Sequence, residues 1–514
     1  MPVTKVIPGV SELRLLRLAE DVAFTIKPGD TIALIGDLGA GKTTLARAVI
    51  RALGVPEHEE IPSPTFTLVQ TYETPRMTVA HFDLYRLSEP TELDELGLDL
   101  ALRQGVALIE WPERAGGILP HDRLEIQLED DGNPDTRRVT FTGHGTWQKR
   151  LERFMAMREL LESADIGGET CALRYLQGDA SVRRYGRILC ADGSGAVLMD
   201  WARQPDGPAI RNGLPYSRIA HLAEDVRPFV ALDTALSNAG FSVPAIKAQD
   251  LANGFLVLED LGNRVFAEEV KTNPGAQRAL WLAATDALVE LAGVAAPETV
   301  PVDGGEAHRI PEYDQGALGI EIELLVDWYW RLLHDCPAPE PARAEFLSLW
   351  DGILARICAL PKALVLRDYH SPNLLWLSDR EGIARVGVID FQDAMRGPAA
   401  YDLVSLLQDA RVDVAPELEA ECLDHYRAAV AGRQTGFDRD AFDFAYAALG
   451  AQRNTKILGI FARLAMRDSK PGYLRHIPRL WRYLERDLAH PELAGLKSWY
   501  DRHMPARTRE ALPA

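Results

Sequence analysis

The run Gly36-Asp37-Leu38-Gly39-Ala40-Gly41-Lys42-Thr43 constrains what this chain can fold into more than any other stretch. It follows a short apolar strand, Thr31–Ile35, and opens a helix from about Lys42 to Leu53 that stops at Gly54. Gly36, Gly39 and Gly41 let successive backbone N–H groups turn inward, and the positive end of the helix dipole lies at the same point. A concavity of that kind binds phosphate. Lys42 is placed to reach the β- and γ-phosphates of ATP, and the Thr43 hydroxyl to bind Mg²⁺.

The neighbouring elements extend this unit. Strands are expected at Thr65–Thr71, Met77–Asp83, Val106–Glu110, Leu124–Leu128 and Arg137–Thr142, with helix-like material at Glu89–Leu102. The alternation reads as an α/β sheet layer ending near Thr142–Thr146. Asp83 ends one apolar run, MTVAHFD, and Glu110 ends another, GVALIE, with Trp111 next. Carboxylates at strand ends beside a phosphate loop are well placed to order metal and water. Glu110 and Trp111 also read as a strand end and a packing aromatic. Ser63-Pro64-Thr65 is either a loop sensing the γ-phosphate or a turn into the next strand.

The stretches GDLGAGKTTLARA, SPTFTLV, HFDLYRL, ELGL and IEWPE, in this order and spacing, resemble the bacterial tRNA threonylcarbamoyladenosine biosynthesis family TsaE. The resemblance covers roughly residues 1–140 and implies a P-loop ATPase that works with TsaB and TsaD homologues in making t6A at position 37 of tRNA. It implies Lys42, Thr43 and Thr44 as nucleotide or Mg²⁺ contacts, Asp83 as a metal-organising carboxylate, and Glu110 with Trp111 beside the nucleotide.

At 514 residues the chain exceeds the ~250–300 that one core usually serves, so a second domain is required. A helix at Trp147–Ser163 lies in an expected connection, residues 146–168. Strands at Ala172–Leu176, Tyr185–Leu189 and Ala196–Met199, a helix at Ala220–Ala239, and strands at Ile246–Gln249 and Phe255–Glu259 make a small α+β lobe, about 169–262. The rest, about 263–505, is mostly helical, with strand-like runs at Ala363–Leu366 and Val386–Ile389.

Leu366-Arg367-Asp368-Tyr369-His370-Ser371-Pro372-Asn373 follows the first of those runs, and Asp390 ends the second in IDFQDA. Kinase-like phosphotransferases use this spacing because the Asp must face the acceptor hydroxyl while the Asn reaches back to a metal ion. Asp368 is therefore the expected base, with Asn373 and Asp390 as Mg²⁺ ligands. His370 is expected to order the loop; Gln392 and Asp393 either line the acceptor pocket or brace Asp390; Asp402 is expected to bond the loop. Gly178–Tyr185 lies where nucleotide phosphates would sit. The strand AVLMD carries no lysine for them, so Arg183 or Arg184 is a possible substitute, and Glu259 falls in a hinge-like LEDLG.

GDASVRRYGR, VPAIKAQDLANGFLVLEDLG, LRDYHSPNLL, GVIDFQDAMRGPAAYDL and QRNTKILGIFARLAMRDSKPGYL are together similar to the aminoglycoside phosphotransferase superfamily. Within it they look like the N-acetylmuramate/N-acetylglucosamine kinases. That resemblance implies ATP-dependent phosphorylation of the anomeric hydroxyl of an amino sugar in cell-wall recycling. The missing strand lysine is shared by that family. Two rivals are an antibiotic-phosphorylating kinase of the same fold and a nucleotide-binding scaffold. The expected organisation is thus 1–145, an α/β P-loop ATPase domain, and 169–505, a two-lobed α+β kinase-like domain.

Composition narrows the partners. Formal charge is −19, and the first 150 residues hold 16 basic and 23 acidic side chains, so unaided grip on nucleic acid is not expected. No run of about 18 apolar residues occurs, and no signal pattern opens the chain. The five cysteines form no CxxC pair, so neither a zinc ribbon nor a disulfide framework is expected, and the compartment reads as reducing and cytoplasmic.

Overall fold

Sheet formation begins earlier than the phosphate loop. The computed structural model describes residues 2–166, 169–176 and 183–509, and the chain divides into two units: Met1–Ala202 with Ile246–Asp260, and Arg203–Ala245 with Leu261–Ala514. In the first unit a seven-stranded sheet has the order β1-β7-β6-β2-β5-β4-β3. The strands are β1 Val3–Ser11, β2 Thr31–Ile35, β3 Val69–Glu73, β4 Thr78–Asp83, β5 Gly105–Glu110, β6 Arg123–Asp130 and β7 Thr136–His144. β2, β4, β5 and β6 run parallel as neighbours, which brings the ends of β2, β4 and β5 together.

Two elements escaped the hydrophobic pattern. β1 contains Pro8-Gly9, ordinarily a break signal, yet it is an edge strand whose register shifts between Ile7 and Val10. A bulge at an edge is where a strand tolerates proline. Helix α1, Glu12–Thr25, follows, capped by Ser11, whose hydroxyl accepts from the Arg14 N–H at 3.1 Å. It buries Leu15, Leu18, Val22 and Phe24, each contributing about 1.5–3 kcal/mol. The segment expected as strand Thr65–Thr71 begins its ladder only at Val69. The hydroxyls of Ser63 and Thr65 turn to Asp83 instead, and Leu68 sits at φ +63°.

Helix Trp147–Ser163 is no spacer. Trp147, Leu151, Phe154, Met157 and Leu161 join a single core that holds residues from α1, α2 (Lys42–Ala52), β6 and β7. The same core includes Leu173, Ile188, Leu198 and Val257 from a five-stranded antiparallel sheet. That sheet has the order Ile246–Asp250, Phe255–Leu258, β10 (Gly195–Asp200), β9 (Arg184–Cys190), β8 (Cys171–Leu176). A Cβ on Gly186 of β9 would lie 2.6 Å from Leu173 Cδ1 and 3.1 Å from the Phe24 ring of α1, so both side chains would have to shift to admit one.

Charges seal the seam. Glu20 accepts from the Leu173 N–H at 3.0 Å and from Arg174 at 2.9 Å. Asp21 is paired with Arg158; burial pushes Asp21 up to about 6 against the pull of that guanidinium. Arg158→Ala is expected to lower the stability of this unit by about 1–3 kcal/mol, because it leaves Asp21 unsatisfied; a shifted urea midpoint is the readout.

One expectation is corrected here. Cys171 and Cys190 face each other directly across β8 and β9 and are disulfide-bonded. The nineteen-residue separation carried no motif; strand pairing alone brought the two together. Cys336, Cys358 and Cys422 are free.

Among its described residues the second unit is mostly helical with four two-stranded ribbons, two of which flank the Asp368 loop. Ala363–Val365 pairs with Met395–Gly397, and Leu374–Trp376 pairs with Val386–Val388. Each of the two expected strands thus pairs with another three-residue strand. The helix expected at Ala220–Ala239 starts at Arg227, next to Pro228, which suits a first turn. The 28-residue helix Arg439–Met466 runs through the core, flanked by Gln315–Leu324, Ala400–Leu407 and Ile477–Asp487. No described helix is long and apolar enough to cross a membrane.

Candidate functional site

Each unit holds one cluster of functional side chains. In the first, the loop after β2 has Gly36, Gly39 and Gly41 at φ +149°, +79° and +107°. A Cβ on Gly36 would stand 2.5 Å from the Leu128 carbonyl oxygen, so the loop is open to glycine only. Lys42 is buried; its Nζ donates to the carbonyls of Gly36 at 2.6 Å and Asp37 at 2.9 Å. It also lies 3.7 Å from the centre of the Trp111 ring, a cation–π contact. Burial pulls the ammonium below its ordinary pKa, against Glu110, Glu113, Asp83 and Asp37.

The strand ends converge on this loop. Asp83 and Glu110 are directly paired across β4 and β5, and Leu34 pairs with Glu110 across β2 and β5. The Thr43 hydroxyl donates to Glu110 Oε2 at 2.9 Å, while buried His81 Nε2 lies 2.9 Å from Glu110 Oε1. Asp83 accepts from Ser63 at 3.2 Å, Thr65 at 3.1 Å and the Tyr85 N–H at 3.1 Å. Ser63-Pro64-Thr65 thus belongs to the site rather than to a strand. Thr44 is half-buried in the first helical turn. Trp111 sits at φ +59°, a conformation that costs a bulky residue free energy and here aims its ring at Lys42.

In the second unit, Arg367 at φ +71° and Asp390 at φ +64° bracket the loop. Asn373 Nδ2 donates to the Asp368 carbonyl at 3.0 Å and to Asp390 Oδ2 at 3.2 Å. Gln392 Nε2 donates to Asp390 Oδ1 at 3.1 Å, so Gln392 braces Asp390. Asp393 accepts from the Ala223 N–H at 2.6 Å, and burial raises its pKa. Asp402 accepts from the N–H groups of Leu366 at 2.6 Å and Arg367 at 2.9 Å. This is the loop-bonding role expected of it; burial lifts its pKa to about 7 against those bonds. His370 is buried with Nε2 3.3 Å from Arg411 Nη1, and burial lowers its pKa.

Asp368 is half-buried and reaches the surface of this cluster. The carboxylate of Asp390 and the amide oxygen of Asn373 are hard donors that suit Mg²⁺. Among the described residues no three His, Cys, Asp or Glu side chains converge as a metal site. A cation here would therefore complete its shell with phosphate oxygens and water, as Mg²⁺ commonly does. At the other site the Thr43 hydroxyl and Asp83 offer the same oxygen chemistry.

A family model described as Phosphotransferase enzyme family matches residues 172–444. The N-acetylmuramate/N-acetylglucosamine kinase of Caulobacter vibrioides is 41% identical over 343 residues, 65% of this chain and 92% of that protein. The kinase of the same name from Pseudomonas aeruginosa is 36% identical over 62% of this chain and 84% of its own length. The chain belongs to the phosphotransferase enzyme family.

Ahead of this phosphotransferase stands a TsaE domain. The model for Threonylcarbamoyl adenosine biosynthesis protein TsaE matches residues 10–139. The protein of that name from Rickettsia bellii is 44% identical over 119 residues, 23% of this chain and 82% of its own. The protein thus joins an ATPase domain of the t6A family to an amino-sugar kinase-like phosphotransferase.

The small lobe of the phosphotransferase departs from expectation. Gly178–Val182, expected near nucleotide phosphates, lies outside the described residues. Arg184 is committed elsewhere: it pairs with buried Asp200 and donates to the carbonyls of Phe24 at 3.2 Å and Thr25 at 3.1 Å. Its guanidinium ties β9 to α1 and does not act as a free phosphate ligand. Arg183 lies 5.1 Å from the Trp201 ring centre. Glu259 is half-buried just past Phe255–Leu258.

Sequence reasoning missed three residues. Glu321 is fully buried and joins Arg367, Lys456 at 2.8 Å, the Tyr313 hydroxyl at 2.6 Å and Gln452 at 2.9 Å. Burial would raise its pKa, but Lys456 and Arg367 overcome that and hold it at about 2. Asp409 accepts from the Ser371 N–H at 2.9 Å and its hydroxyl at 2.6 Å. His81 in AHFD was the third. An ionisable residue inside an apolar run was the available signal for His81; Glu321 and Asp409 gave none, because their partners lie far away in sequence.

Proposed function

We propose that the phosphotransferase half transfers the γ-phosphoryl group of ATP to the anomeric C1 hydroxyl of N-acetylmuramate and N-acetylglucosamine, supplying a sugar 1-phosphate for cell-wall recycling. The Asp368–Asn373–Asp390 constellation carries this reading, and the named kinases that share most of their length with this chain support it. Asp368 accepts the C1 proton as the sugar oxygen bonds to the γ-phosphorus and the bond to the β-bridging oxygen breaks, releasing ADP. Asn373, anchored through its Nδ2 to the Asp368 carbonyl, keeps base and metal ligands in one register. Mg²⁺ held by Asn373 and Asp390 would neutralise charge on the phosphates. Phosphorylation at C1 removes the reducing end, so ATP-dependent loss of reducing-sugar response tests the reading. Product that remains reducing would refute it.

For the TsaE domain we infer ATP hydrolysis at Lys42, Thr43, Asp83 and Glu110, working with TsaB and TsaD homologues in t6A formation. The acidic balance of this region fits a role that relies on partners for tRNA. Lys42→Ala is expected to slow ATP hydrolysis by this domain about 10²–10³-fold, since it removes a charged donor from the phosphates. Sugar phosphorylation by the same variant should be unchanged; a parallel loss of both would contradict separate sites.

A further inference from the structure

Helix Arg439–Met466 carries Lys456 and, two turns or about 10 Å of rise later, Arg463 on the same face. The two cations differ in what they meet. Lys456 is neutralised by Glu321, which also grips Arg367, the residue before Asp368. Arg463 is half-buried, its Nε is shielded from solvent, and among the described residues it has neither a hydrogen-bond acceptor nor an ion pair. Asp468, the acid nearby, is taken by Arg467 through contacts of 2.7 and 2.9 Å. A guanidinium N–H shielded from water and without an acceptor is costly. Arg463 stands 6.0 Å from the ring centre of Tyr216. Tyr216 opens the short helix Tyr216–Ile219, and Ala220, just after it, accepts from Arg367 Nη1 at 3.1 Å. Arg463 is therefore linked through one helix and one turn to the loop that presents Asp368.

We propose that Arg463, backed by Tyr216, is a specificity residue of the acceptor site that receives the carboxylate of the 3-O-lactyl arm of N-acetylmuramate. N-acetylglucosamine has no such arm and leaves the guanidinium unmatched. The proposal rests on the amino-sugar reading above. It deepens that reading by assigning the acidic acceptor its own residue.

The test measures both sugars, and the neutral lactyl amide of N-acetylmuramate, with the full-length protein and with Arg463→Gln and Arg463→Lys. Arg463→Gln should raise KM for N-acetylmuramate about 10- to 100-fold, the range for a lost hydrogen bond to a charged group. Its kcat, and both constants for N-acetylglucosamine, should not change, which also shows that the variant folds. The amide should behave with the unaltered protein as N-acetylmuramate does with Arg463→Gln, and Arg463→Lys should recover part of the loss. Equal KM increases for both sugars, a fall in kcat alone, or no change would overturn the proposal while leaving the kinase reading intact. Failure of the unaltered protein to phosphorylate either sugar would overturn both.

Discussion

Asp368→Asn is expected to cut kcat for sugar phosphorylation about 10²- to 10⁴-fold, the contribution of a positioned general base. The substitution keeps the shape of the side chain and removes its ability to take the C1 proton. Asp368 is half-buried and its backbone carbonyl, not its carboxylate, anchors Asn373, so the loop should keep its form. KM for ATP and the thermal transition should therefore stay put, as should ATP hydrolysis by the TsaE domain. Full sugar-kinase activity in the purified variant would remove Asp368 from the chemistry.

Glu321→Gln is expected to be the most damaging substitution for stability in the phosphotransferase half. It leaves Arg367 and Lys456 together without the carboxylate between them, a loss of about 3–5 kcal/mol for a broken buried ion pair. The sign of the pH dependence follows from the depressed pKa. Glu321 is held at about 2 against an ordinary 4.5, so its stabilisation is complete above 4.5 and disappears as pH falls toward 2. The stability gap between the unaltered protein and the variant should accordingly be widest at neutral pH and narrow through that window. A gap that is constant with pH would show that Glu321 does not act through its charge. Because Arg367 adjoins Asp368 and sits in a left-handed conformation, the variant should also lose activity.

Much of both sites was legible before any fold was known. The phosphate loop and the Asp368–Asn373 spacing are local: a few residues, one turn, one preferred geometry. Asp83 and Glu110 were legible as strand ends because apolar runs stop there. Arg184 was misread for the opposite reason. A charged residue beside a glycine-rich loop looks like a phosphate ligand, and nothing local shows that Asp200 and two carbonyls of α1 consume it. Cys171 and Cys190 were missed because pairing across a hairpin depends on register, not on a motif.

The sequence by itself determined the two nucleotide-handling chemistries and the order of the elements that carry them, because backbone conformation and strand periodicity are set by near neighbours. Tertiary structure alone decided which polar groups are paired. It made Trp147–Ser163 and the phosphotransferase small-lobe sheet share one core with the ATPase domain, placed Glu321 between two cations, and left Arg463 Nε without a hydrogen-bond acceptor among the described residues. Those outcomes depend on burial and on contacts between residues distant in sequence, where the free energy of a charge is set by what surrounds it rather than by what precedes it.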